Sequence, residues 1–153
     1  AGQTLVFWLP GYGNNPLDPL ADPGNGTGDL SVRKELFDFD ESRLVPTRVV
    51  DGFQLYHYYP RGGQNVPYVY FHHDNYATDS FTGTGTGTAR PYKRDGGTDF
   101  ANDDSFQIIS AGQDGDWGAD STEKQFPSGL NYGPTDSDNV TNFSGGTLAD
   151  QIP

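Results

Sequence analysis

An apolar strand that runs straight into an acidic, glycine-rich turn constrains this chain more than any other feature: Ser105-Phe-Gln-Ile-Ile-Ser-Ala-Gly-Gln-Asp-Gly-Asp-Trp-Gly118. Aromatic and β-branched residues favour extended backbone, and the glycines behind them admit the left-handed conformations that a tight turn needs. Asp114 and Asp116 flank Gly115, so two short carboxylates and neighbouring carbonyls can face one point. Further on, Thr135-Asp-Ser-Asp-Asn-Val-Thr-Asn-Phe143 supplies a second acidic cluster. Together the two segments read as a calcium loop. Asp136, Asp138 and the Thr135 carbonyl or hydroxyl would complete a shell of roughly six to eight oxygens at about 2.3–2.6 Å. With no Cys and only three His, the usual ligands of zinc and copper are lacking, which leaves oxygen-seeking ions. The spacing is not that of an EF-hand, which needs one continuous loop closed by a Glu. Ordinary Asp-Gly turns use the same residues for their own reasons, and chemistry by itself leaves the two readings level.

The run Phe106-Gln-Ile-Ile-Ser-Ala-Gly-Gln-Asp-Gly-Asp-Trp-Gly118, followed by Asp138-Asn-Val-Thr-Asn-Phe-Ser144, resembles the C-terminal region of type IV pilin-like proteins. It is most similar to the major pseudopilin of type II secretion, in its planctomycete-type members. Leu5-Val-Phe-Trp-Leu9, Phe37-Asp-Phe-Asp-Glu-Ser-Arg-Leu44 and Pro67-Tyr-Val-Tyr-Phe71 carry the same pattern upstream, so the resemblance spans most of the chain outside its Gly/Thr-rich middle. It implies an α+β head, a small antiparallel sheet packed on the remnant of an N-terminal helix and rich in loops. It also implies a non-catalytic structural subunit that binds calcium in its C-terminal loops, here 105–153. The implied partners are identical subunits in a filament, with minor pseudopilins beside them. The implied setting is extracellular or at the cell surface, or periplasmic for a secretion pseudopilin. Asp114 and Asp138 are the side-chain ligands that the resemblance carries over best, with Asp116 and Asp136 second.

One departure stands out. Family members begin with a basic leader and a long apolar helix, whereas this chain starts Ala1-Gly-Gln-Thr-Leu-Val-Phe-Trp-Leu-Pro10. That apolar run is far short of the ~20 residues needed to cross a bilayer, and no signal-peptide pattern is present. The absence of Met anywhere points to a processed product, a tagless fragment or only the ordered part of something longer. Residues Thr4 to Leu9 are expected to be the last turns of a truncated helix, so membrane contact would run only through a helix missing from this chain. Without that element, head-to-head contacts through heterologous interfaces are the remaining route to a filament.

A chain of 153 residues fits one domain, expected here over 1–153. Its hydrophobic content of 33% is low, but nine Tyr, ten Phe and two Trp allow a core built of rings. Twenty-one Gly and 11 Pro keep regular elements short, so helix should be scarce. The formal net charge of -12 repels nucleic acid and anionic lipid. Apart from Glu35, Glu41 and Glu123 the acids are Asp, which suits turns, caps and cation loops. Without disulfides, such a domain relies on aromatic packing and on an ion that millimolar extracellular calcium would keep bound.

Three stretches read as strands: Phe53–Tyr59, Val66–Phe71 and Ser105–Ser110. The first two are expected to pair as a hairpin. Short helical turns are expected at Arg33–Phe37 and Glu41–Leu44, the latter capped by Asp40. Residues Pro10–Asp29 read as irregular. Phe81-Thr-Gly-Thr-Gly-Thr-Gly-Thr88 reads as a flexible excursion, with an edge strand as the alternative. Asn25, Asn139 and Asn142 begin N-glycosylation patterns that arise readily by chance. No nucleophile elbow, phosphate loop or His-Glu-x-x-His occurs. The acid pairs Asp103/Asp104 and Asp114/Asp116 lie among polar residues that would not raise a carboxyl pKa for glycoside hydrolysis. His72-His73-Asp74 would point to opposite faces of a strand. The chain is therefore expected not to be an enzyme. From another functional class, a calcium-dependent carbohydrate-binding module would use Trp117 for sugar stacking, whereas a core position would make it a lid on the ion site.

Overall fold

The computed structural model describes Val6 and residues 37–50, 53–62, 65–118 and 120–153. They divide into two compact units, one ending at Tyr58 and one running Tyr59–Pro153, where sequence predicts a single head domain. The helix remnant expected at Thr4–Leu9, save Val6, the irregular stretch 10–29 and the turn at 33–36 lie outside the described residues. Elsewhere helix is confined to short 3-10 turns, and the architecture is sheet-rich, with small and mostly antiparallel sheets.

In the first unit the turn Glu41–Arg43 forms as expected, because the Asp40 carboxylate accepts from the Ser42 amide at 3.1 Å and from its hydroxyl at 2.6 Å. Strand β1 (Leu44–Val50) follows and pairs antiparallel with β2 (Phe53–Tyr58). The expected partner of β2 was Val66–Phe71, so the hairpin is one strand earlier. Pro46 hides β1 from a sequence reading, since it has no amide to give a ladder. The register breaks between Pro46 and Val49, and side chains mend the gap. There Thr47 Oγ1 donates to the Leu55 carbonyl at 3.0 Å, and Gln54 Nε2 donates to the same carbonyl at 2.9 Å. Phe37, Phe39 and Tyr58 pack edge to face, with the Arg43 guanidinium 4.1 Å from the Tyr58 ring.

The second unit is built on β3 (Val69–His72), β5 (Phe106–Ser110) and β7 (Val140–Thr141), an antiparallel sheet in the order β3-β5-β7. A second, parallel pair joins β4 (Lys93–Arg94) to β6 (Gln125–Phe126). Alternation along β3 sends Val69 and Phe71 inward, and alternation along β5 sends Gln107 and Ile109 inward. Rings make much of the core: Phe71, Tyr76, Tyr92 and Trp117 are buried, with Phe81, Phe100, Phe126, Tyr132 and Phe143 packed against them. Gln107 is buried because it behaves like a piece of strand. Its Oε1 accepts from the Tyr92 amide at 2.8 Å, and its Nε2 donates to the Tyr92 and Ala101 carbonyls at 2.9 and 2.7 Å.

The Gly/Thr run is tied down rather than a free excursion. Phe81 and Ala89 exchange both backbone bonds, at 3.0 and 2.9 Å, and close the loop at its base. Its far side clasps the acidic turn: the Thr86 amide donates to the Gly115 carbonyl at 3.2 Å, and the Trp117 amide donates to the Thr86 carbonyl at 2.8 Å. The Thr84 carbonyl takes the Trp117 indole N–H at 3.4 Å. Trp117, 1% exposed, is thus fixed by both loops.

Candidate functional site

The acidic turn 112–118 and the tail loop 133–141 meet, as the sequence predicts, but protein groups hold them together. The centre is a buried ion pair. Lys124 Nζ lies 2.7 Å from Asp136 Oδ1, and the two side chains are 1% and 0% exposed. The ammonium also donates to the Trp117 carbonyl at 2.9 Å, so it bridges the turn to the tail. Asp136 accepts further from the Tyr92 hydroxyl at 3.1 Å and, through Oδ2, from the Gly133 amide at 2.6 Å. Charge-assisted bonds of this kind are the strong ones, and burying an ion pair is tolerable only when its remaining valences are met. Asn139 closes the network from below. With its amide nitrogen turned to the Ser110 and Asp116 carbonyls, each at 3.3 Å, every amide atom has a partner.

Asp138 makes the second attachment. Its Oδ2 accepts from the amides of Gln113 and Asp114 at 2.6 and 3.2 Å, which pins the tail to the start of the turn. These contacts explain two of the turn's glycines. A Cβ on Gly112 would overlap the Asp138 carboxyl, and one on Gly118 would overlap that of Asp136. Both glycines also have positive φ, 65° and 76°, which disfavours any side chain. The Asp-Gly composition therefore serves close docking of carboxylate on backbone.

The five residues predicted as calcium ligands fare differently. Asp136 faces an ammonium, with both of its oxygens hydrogen-bonded, so a second cation there would meet like charge. This departs from its expected place in the ion shell. Asp114 Oδ1 accepts from the Asp116 amide and Asp116 Oδ1 from the Gly118 amide, both at 2.8 Å, as in ordinary Asx turns. Thr135 sits half-buried in the turn before Asp136. Asp138 Oδ1 is different: it is buried without a hydrogen-bond partner. A carboxylate oxygen in that state is what a hard cation would satisfy. No three of Asp114, Asp116, Asp136 and Asp138 bring ligand oxygens within 4.8 Å of one another; among the described residues the group that does so lies elsewhere, at the end of β3. The four predicted carboxylates thus do not converge three at a time on one point, and Asp138 is the one with a buried oxygen that lacks a hydrogen-bond partner.

Other sequence motifs resolve plainly. Asn139 is fully buried, which removes it as a glycan acceptor, and Asn142 extends the sheet, taking the Ile108 amide at 2.9 Å. Asp103 is held by Arg94 at 2.9 Å. A cleft of about 260 Å³ lies beside Tyr76 and Phe100, and its cations Arg90 and Lys93 are paired to Asp120 and Glu123. No family model, curated protein or solved structure matches the chain.

Burial shapes the acid–base behaviour of the network. It draws the Lys124 ammonium below its ordinary pKa, against the pull of Asp136, and it pushes the Tyr92 hydroxyl well above 10.0, with Asp136 adding to the rise. For Tyr92 both states keep the phenol proton below pH 10, so stability is unaffected there. Above it the unfolded chain ionises and the folded chain does not, and stability falls by about 1.4 kcal/mol per pH unit. Lys124 has the opposite sign, adding stability as pH rises to 10.5 and levelling beyond. Urea midpoints should therefore decline steeply above pH 10.5, and Tyr92→Phe should blunt the decline. A flat profile to about pH 11.5 would show that this hydroxyl is not sequestered.

Proposed function

We propose that this chain is the globular head of a pilin-like filament subunit, exported, without catalytic activity, and packed against identical subunits and minor pseudopilins. One observation supports the reading best. The tail loop is fastened onto the acidic turn by the Lys124–Asp136 pair and by the Asp138 carboxylate on two amides, which makes a rigid cap of the region where the resemblance is most specific. A subunit that bears load across its neighbours benefits from a cap of this kind, since local opening begins where buried contacts are few. The cell surface or periplasm is the setting this reading implies.

Calcium enters the proposal as an addition at Asp138, with Asp114 the nearest acid in sequence to the amides it holds; Asp136 has no part in it. An ion that binds the folded state alone, at tenfold over its dissociation constant, adds about 1.4 kcal/mol, or roughly 3–6 °C in melting temperature for a chain of this size. Chelation should remove that increment, and Asp138→Asn should abolish it while still accepting from the Gln113 and Asp114 amides. Equal melting curves with calcium and with chelator would remove the ion from the account. The filament itself is tested by immunogold electron microscopy with antibodies to this chain: labelled fibres are expected, and label confined to dispersed particles would contradict the assignment. The carbohydrate-binding alternative loses its stacking platform, because Trp117 is buried under the Gly/Thr loop.

A further inference from the structure

Strand β3 ends at His72, and the 3-10 turn His73–Asn75 begins at once. Neighbours on a continuous strand point to opposite faces, and on that ground sequence keeps these residues apart. The change of backbone at the junction instead gathers His72, His73 and Asp74. The two imidazole centroids lie 4.4 Å apart. His72 Nδ1 is 3.3 Å from Asp74 Oδ2, and His73 Nδ1 is 3.5 Å from Asp74 Oδ1. One ligand atom from each residue falls within 4.8 Å of the other two.

We propose that His72, His73 and Asp74 form a surface site for a borderline divalent metal ion of the zinc class. Zinc bonds nitrogen and carboxylate oxygen at about 2.0–2.2 Å, and in a tetrahedral shell ligand atoms then stand about 3.3–3.5 Å apart. The two nitrogen–oxygen separations have that value, one to each carboxylate oxygen, and with one donor atom per residue the three lie within 4.8 Å, so small rotations of these exposed side chains would close the shell. Both separations exceed the ~2.7–3.2 Å of a full N–H···O bond, so the groups converge without satisfying one another. His72 Nδ1 also accepts from the Asp74 amide at 3.4 Å as the cap of the turn, a long bond that an ion bound to that nitrogen would replace.

The backbone beneath is fixed before any ion arrives. Buried Phe71 and Tyr76 bracket the three residues, the His73 amide donates to the Ser105 carbonyl at 3.1 Å, and the Tyr76 hydroxyl donates to the Asn102 carbonyl at 3.0 Å. The three side chains are 46%, 37% and 69% exposed, which gives an ion an entry path and leaves a fourth position to water or to a donor from another molecule. Two imidazoles with one carboxylate disfavour calcium and magnesium, and the net charge of -12 draws cations in. Sequence alone leaves zinc too few ligands; the proposed site arises instead from two of the three histidines standing together where β3 gives way to the turn.

Zinc titrated calorimetrically into the metal-free chain, with histidine ring resonances followed by NMR, tests the site. One ion should bind, the His72 and His73 signals should shift and that of His57 should not, and millimolar calcium should not compete. His72→Ala, His73→Ala and Asp74→Asn should each weaken binding tenfold or more, with melting temperatures changed by only a few degrees because the side chains are exposed and their mutual bonds are long. No uptake by the wild type, shifts confined to His57, or undiminished binding in the double variant His72→Ala/His73→Ala would overturn the proposal.

Discussion

Replacing Lys124 by methionine is expected to destabilise the protein by about 3–5 kcal/mol, because it removes one partner of a buried ion pair and leaves the Asp136 carboxyl buried without that ammonium. The carboxylate would lose its ammonium partner while keeping its bonds to the Tyr92 hydroxyl and the Gly133 amide, and the Trp117 carbonyl would lose the Lys124 donor. Breaking a buried pair differs from replacing it. Apolar substitution of both partners removes the desolvation penalty along with the attraction, whereas substitution of one keeps the penalty alone. A surface lysine removed in the same way changes stability by ~0.5 kcal/mol or less, so urea denaturation separates the two situations with room to spare. Loss within that smaller range would mean that Lys124 reaches solvent.

Gly118→Ala should be nearly as damaging, and for an independent reason. The added methyl would occupy the place of the Asp136 carboxyl, and the backbone at φ 76° is one that L residues rarely adopt. Strain of the second kind alone is worth about 1 kcal/mol or more, and the displaced carboxylate would forfeit bonds to Lys124 and Gly133 in addition. A total of about 3–5 kcal/mol is expected by denaturant titration. Gly62→Ala is the control: it shares the positive φ, 99°, yet a Cβ there meets nothing within 4 Å. Only the strain should appear in that variant, about 1 kcal/mol. Equal losses in the two variants would show that docking of Asp136 on the turn contributes nothing.

Local chemistry was legible in the sequence wherever a residue's partner lies near it along the chain. Asp40 caps the turn it precedes, Phe106–Ser110 is extended, and the Asp-Gly run turns. Pairing was less legible. Strand β2 met β1 rather than Val66–Phe71, since Pro46 and the polar pair Thr47-Arg48 disguise a strand whose bulge is mended by side chains. The convergence of the two acidic segments was expected from their residues together with the family resemblance, composition alone leaving ordinary turns equally open, and the agent of it was not legible. A lone Lys between Glu123 and Gln125 looks like solvated surface, and only the fold places it 2.7 Å from a buried carboxylate. Gln107 escaped for a similar reason, because its partners are backbone groups of Tyr92 and Ala101. The His72-His73-Asp74 cluster depends on where one strand stops, a boundary that sequence patterns leave uncertain by several residues.

A double-mutant cycle across Lys124 and Asp136 reads the attachment of tail to turn most directly. Lys124→Met, Asp136→Asn and the combined variant, each unfolded in urea, yield the coupling between the two side chains free of their separate effects. Coupling of about 1.5–3 kcal/mol is expected, with the double variant more stable than the sum of the single losses implies. Additive losses, within about 0.5 kcal/mol, would contradict an internal cation holding the C-terminal cap together.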